Sequence, residues 1–160
     1  MNWQNFYQRQ EQLDKHIMET QGLKNASVTD EKILALLVEI GELANETRCF
    51  KFWSTKAASP KSVILEEYVD GLHFILSLGL DLNFYYNSVP INDRLDQTEA
   101  FLDVFTSIED FKQNKSNSAY DKLFHSYIKL GKSLGISEEE LQEAYQKKNN
   151  VNFQRQDQGY

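Results

Sequence analysis

Two short acidic motifs are where this sequence could do chemistry: Glu39-Ile-Gly-Glu42 and Glu67-Tyr-Val-Asp70. In each, carboxylates three positions apart project from one face of a helix. Like charges at that spacing disfavour the helix slightly unless a cation lies between them. Both pairs sit among apolar residues, Glu39 between Val38 and Ile40, and Asp70 after Val69 with Leu72 close by. If the two helices pack antiparallel, the four carboxylates converge near the core, where burial without a partner is costly. An all-oxygen donor set selects a hard divalent ion, Mg2+ with Mn2+ as the alternative. Solvated surface charge is the competing reading of any acidic pair, and spacing alone leaves it open.

Helices must position those pairs, and about six are legible. Apolar periodicity runs from about Trp3 to Thr20, ending before Gly22. Thr29 or Asp30 can cap a second helix, whose apolar positions Ile33, Leu36, Leu37, Ile40, Leu43 and Ala44 recur at helical spacing and fade at Cys49. Phe50 to Ser59 reads as a loop, with Ser59-Pro60 as cap and first residue of a third helix reaching about Tyr86. A fourth helix is expected from Arg94 to Phe111, then a polar turn, then a fifth from about Ala119 to Leu134. Ser137 with Glu140 forms a capping box for a sixth helix through about Lys148. No segment alternates as a strand would. The expected fold is an all-α bundle, with residues 1–160 forming a single domain.

Composition narrows the partners. A formal net charge of -7 argues against general nucleic-acid binding, and no apolar run is long enough to span a membrane. The N-terminal stretch lacks the apolar core of a signal peptide. Cys49 is the only cysteine, so no internal disulfide can form, and a cytoplasmic location is expected. Cys49 itself reads as inert packing. Against the acidic background, Lys147, Lys148 and Arg155 cluster with Asn149, Asn152 and Gln156. A guanidinium fork, an ammonium and several amides suit a polyphosphate. A frayed polar tail is the bland alternative.

Glu-x-x-Glu, then residues 43–66, then Glu-x-x-Asp resembles the signature of the all-α nucleoside triphosphate pyrophosphatases, which include MazG-like enzymes, dCTP pyrophosphatases and dimeric dUTPases. Residues 45–56, Asp70 to Leu80, and the stretch from Tyr145 to Tyr160 resemble the dimeric dUTPase branch in particular. Gln10, Leu13 and Asp14 resemble that family's opening helix, and the likeness thins only between about Asn87 and Lys115.

The resemblance implies that Glu39, Glu42, Glu67 and Asp70 bind Mg2+, that the bundle is completed as a homodimer, and that dUTP is hydrolysed to dUMP and pyrophosphate, with dUDP as a further substrate. Glu39 or Glu42 would act as general base for an in-line water. Lys56, Lys148, Asn152 and Arg155 would hold phosphate, with Lys148 and Arg155 offsetting charge on the leaving group and the tail ordering over bound nucleotide. Base and sugar contacts would fall to Gln10, Trp53, Phe74 and Asn149. An exposed helical Gln10 and an ordinary core Phe74 are the plainer readings of those two residues. Glu46 and Glu66 rank behind the four signature carboxylates, and His73 is expected to be hydrogen-bonded within the fold rather than a ligand. The rival readings are a dCTP or house-cleaning nucleotide pyrophosphatase and, in another class, a non-catalytic helical interaction protein.

Overall fold

The apolar stripe Ile33, Leu36, Ile40, Leu43 makes one face of a helix hydrophobic, and it needs a partner surface. The following helix supplies one in Val69, Leu72, Ile75 and Leu76, all fully buried. In the computed structural model, which describes residues 1–92 and 96–160, these are α2 (Thr29–Thr47) and α3 (Lys61–Leu82). Three cross-contacts fix their direction. Lys32 meets Asp81 at 2.7 Å, Glu39 lies beside Asp70, and Ser59, just before α3, bonds Glu46. Rising numbers on α2 match falling numbers on α3, so the pair is antiparallel.

The other described helices are α1 (Trp3–Thr20), α4 (Gln97–Gln113), α5 (Asn117–Ser133) and α6 (Glu138–Asp157). Among the described residues there are six helices and no strand, and none is long and apolar enough to cross a membrane. α4 pairs with α5 as α2 pairs with α3, while α1 and α6 pack on each other and on α3.

Helix ends depart from expectation in informative ways. Thr29 is already helical, so neither it nor Asp30 is the cap; Val28 holds that position without a side-chain bond, and Asp30 and Glu31 instead complement the dipole from the first turn. The Ser59 hydroxyl serves the Glu46 carboxylate, leaving Pro60 as the residue before α3. α3 stops at Leu82, short of Tyr86, because Asn83 turns left-handed (φ 56°) and Phe84 N–H closes back on the Gly79 carbonyl at 2.8 Å. α4 starts at Gln97 under an Asp96 cap; the expected start at Arg94 lies outside the described residues. The Ser137–Glu140 capping box is present. α6 continues to Asp157, well past its expected end at Lys148, and stops where Gly159 takes φ 74°, so the donor-rich segment is helix and not the frayed tail of the alternative reading.

α5 meets α3 beneath the acidic residues through two tyrosines. Tyr68 and Tyr127 stack at 4.5 Å, and each donates its hydroxyl to the other's backbone carbonyl, at 2.9 and 2.6 Å. Both rings are fully buried. Gly131 makes room for Tyr68: a Cβ there would lie 2.5 Å from the Tyr68 hydroxyl and 2.6 Å from its ring. Gly131→Ala should therefore destabilise the protein although alanine is the better helix former. The propensity gain is about 1 kcal/mol, whereas overpacking against an immobile ring costs about 1–3 kcal/mol. A melting temperature that falls by a few degrees in thermal circular dichroism is the expected result, and a rise would refute the packing argument.

Candidate active site

Antiparallel packing brings Glu39 of α2 against Glu67 and Asp70 of α3. One carboxylate oxygen from each lies within 4.8 Å of the others, and all three residues are half-buried. Glu42, expected as the fourth member, is not part of this set. Its helical neighbours Val38 and Asn45 are both exposed, and Glu42 faces solvent with them. Its charge still reaches the cluster. Burial first, then the charges of Asp70, Glu42 and Glu67, push the Glu39 carboxyl up to about 7. Burial and neighbouring carboxylates raise Glu67 as well, and burial raises Asp70.

One cation already answers this repulsion. Lys148 of α6 places its Nζ 2.8 Å from Asp70 and 2.9 Å from Glu66. Burial works against its charge, but the bonds to Asp70 and Glu66 outweigh that and raise its pKa.

Glu39, Asp70 and Lys148 open onto a cleft of about 330 Å³. Gln10, Phe74, Asn152 and Arg155 share its walls, so α1, α2, α3 and α6 all contribute. Trp53 and Lys56 do not reach it. Trp53 is 64% exposed on the loop after α2, edge-on to Phe50 and Phe52. Asn149 is buried beside Tyr145 rather than on the cleft wall.

Gln10 is neither exposed nor free to read a base. It is 3% exposed, its Nε2 donates to Asp14 at 2.8 Å, and its Oε1 accepts from the Tyr145 hydroxyl at 2.9 Å. The same Oε1 lies 2.6 Å from His73 Nδ1. A carbonyl oxygen only accepts, so Nδ1 carries the proton and Nε2 is left as a bare acceptor. His73 lines the cleft, and its buried Nε2 has no hydrogen-bond partner. Burial, with a smaller push from Lys148, depresses the imidazole to about 3, so it is neutral in ordinary conditions. His73 is thus hydrogen-bonded within the fold, as expected, but only through one nitrogen.

Asp14 completes the strip, accepting from Ser77 at 2.7 Å, its pKa raised by burial. Asp14, His73 and Ser77 were not singled out as site residues. The available signal was polar side chains four apart, Gln10/Asp14 and His73/Ser77, embedded in apolar helix faces.

A family model described as dUTPase matches residues 2–160. The chain belongs to the dUTPase family. No curated protein matches it. The all-helical fold agrees with the all-α dUTPases, and the activity that membership carries is dUTP diphosphatase. A divalent metal fits the residues of this family member: three hard oxygen donors converge, and the structure already places a cationic ammonium against one of them.

The His73 assignment has a direct readout. Its folded-state value lies below the unfolded one, so the stability it contributes is present above about 6.5 and is lost as pH falls towards 3. Nitrogen NMR of the imidazole should show one neutral Nδ1–H tautomer, unchanged from pH 8 to 5. Titration within that window would disprove the arrangement.

Proposed function

We propose that residues 1–160 act as one domain that hydrolyses dUTP to dUMP and pyrophosphate with Mg2+, or Mn2+ in its place, held by Glu39, Glu67 and Asp70 and by Glu42 from the solvent edge. The observation that carries this reading is one cleft joining two kinds of site. Glu39 and Asp70 of the acidic trio and the cations Lys148 and Arg155 line it, and so does His73, neutral and with its Nε2 unpartnered.

Bound metal would offset phosphate charge and favour ionisation of the attacking water. Glu39 is suited to take that water's proton, since its carboxyl sits near neutrality. Arg155 and Asn152 grip phosphate oxygens, and Lys148 adds a compact charge. Phe74 supplies an apolar face for the ring. His73 Nε2 accepts a hydrogen bond, and uracil offers one at N3–H, where neutral cytosine has only a lone pair. Two facing acceptors leave both unpaired, so cytosine is rejected. Gln10 and Asp14 act through His73 by fixing its tautomer. Trp53, Lys56 and Asn149 are not assigned to this cleft. dUDP carries the same base and a shorter phosphate chain and is a second substrate.

A homodimer is part of the proposal. Leu34 and Val38 on α2 and Leu102 and Phe105 on α4 are exposed apolar side chains that a second copy would cover. A cytoplasmic location accords with the lone, unpaired Cys49.

Pyrophosphate release from dUTP and dCTP, with and without Mg2+, tests the reading. Glu39→Gln and Asp70→Asn should each lose at least about a hundredfold of Mg2+-dependent turnover with helicity intact. His73→Ala should lower the dUTP to dCTP preference about ten- to a hundredfold. Wild-type-like turnover in the acidic variants would refute the metal assignment, and an unchanged base preference in His73→Ala would refute the base assignment. Light scattering at micromolar concentration should give twice the 18.7 kDa of one chain; the single-chain mass would rule the dimer out.

A further inference from the structure

Lys148 stands between two spaces. On one side is the cleft with Asp70, Asn152 and Arg155; on the other is a groove of about 530 Å³ lined by Val63, Leu65, Glu66 and Lys147. Its ammonium bridges the two carboxylates that mark those sides, Asp70 at 2.8 Å and Glu66 at 2.9 Å. The Lys148 side chain is only 12% exposed, whereas Glu66 is 57% exposed, so the ammonium has a wetter partner behind it and a drier one in front. Glu66 directly precedes Glu67 in sequence, yet it belongs to no set of metal-ligating atoms among the described residues.

We propose that Lys148 is an internal counter-cation of the acidic cluster, one that yields Asp70 to an incoming divalent ion and withdraws onto Glu66. The inference rests on the metal reading above. Asp70 Oδ2 already accepts from an ammonium, and a divalent ion drawing on that oxygen meets a like charge in contact with its own ligand. An ion that takes that oxygen displaces the ammonium from it. Glu66 and the groove give Lys148 somewhere to go without exposing its charge unpaired. The same exchange sets an order of events, because Lys148 is free to meet a phosphate only once Asp70 has another cation. Glu66 is then a positioning residue: it touches neither metal nor substrate and acts through Lys148.

Titration calorimetry with Mn2+ on nucleotide-free protein at pH 8 tests this without reference to turnover. Lys148→Met should bind Mn2+ about tenfold more tightly than wild type, the competing charge-assisted bond to Asp70 being gone. Its metal-free melting temperature should fall, and the rise on adding Mn2+ should exceed that of wild type. Glu66→Gln should weaken Mn2+ binding more in wild type than in the Lys148→Met background, since its effect runs through the ammonium. If Lys148→Met does not fold, Lys148→Gln carries the same expectations. Equal or weaker Mn2+ affinity in the Lys148 variant, or an equal Glu66→Gln effect in both backgrounds, overturns the proposal while leaving the metal site standing. A wild-type protein that binds no Mn2+ overturns both.

Discussion

Three carboxylates whose oxygens lie within 4.8 Å of one another repel, and the surrounding structure holds them together against that repulsion. At about 4 Å a pair of like charges near a protein surface opposes association by roughly 4 kcal/mol. Each fully buried leucine or isoleucine returns about 1.5–3 kcal/mol. The α2–α3 seam, with Leu36, Ile40, Leu43, Val69, Leu72, Ile75 and Leu76 all without exposure, has several of these to set against it. Two further devices reduce the opposition itself. Glu39 keeps a proton near neutrality, and Lys148 sets an ammonium against Asp70. Below the acidic residues, the reciprocal Tyr68–Tyr127 pair ties α3 to α5. The helix bearing two of the three carboxylates is thereby held by α2 and by α5.

The same helix carries the opposite kind of polar group one turn further on. From Ser77 through Asp14 and Gln10 to His73 and Tyr145, each contact constrains the next. Asp14 takes the Gln10 amide nitrogen, which turns its carbonyl towards His73 and Tyr145. That carbonyl selects the imidazole tautomer. His73 also stacks on Tyr145 at 4.4 Å, so the ring cannot rotate to satisfy its second nitrogen elsewhere. A largely buried strip thus determines which nitrogen of His73 is left without a partner. Repulsion among anions and an unsatisfied acceptor are both polar costs kept in place by packing.

Much of this was legible in the sequence because helical spacing is short-range. Two i, i+3 acidic pairs on successive apolar helices put Glu39, Glu67 and Asp70 together once the helices ran antiparallel. Glu42 shows where the pattern stops: whether the fourth carboxylate turns inward depends on which face of α2 meets α3, and the exposed Val38 and Asn45 decide that. Gln10 shows the same gap, since burial 135 residues away against Tyr145 is not a local property. The helical end of α6 escaped for a related reason. Beyond Asn149 it buries no residue of its own, and it is secured to α1 by His16–Asp157 at 2.9 Å, Gln21–Gln156 at 3.0 Å and the His16–Phe153 ring contact. Motif likeness found the residues of the tail, while only the fold found their conformation.

Helix pairing along the chain also divides the cleft by the time at which its parts can form. α2 with α3, and α4 with α5, are neighbours in sequence, so their contacts close short loops at little entropic expense. The wall built by α1 against α6 joins positions more than a hundred residues apart, the kind of contact that slows folding and comes late. A chain with only its sequence-neighbour helix pairs formed would have its acidic trio before Gln10, Tyr145 or Arg155 were in place. On the proposed assignment it would attract a cation but lack the groups that tell one base from another.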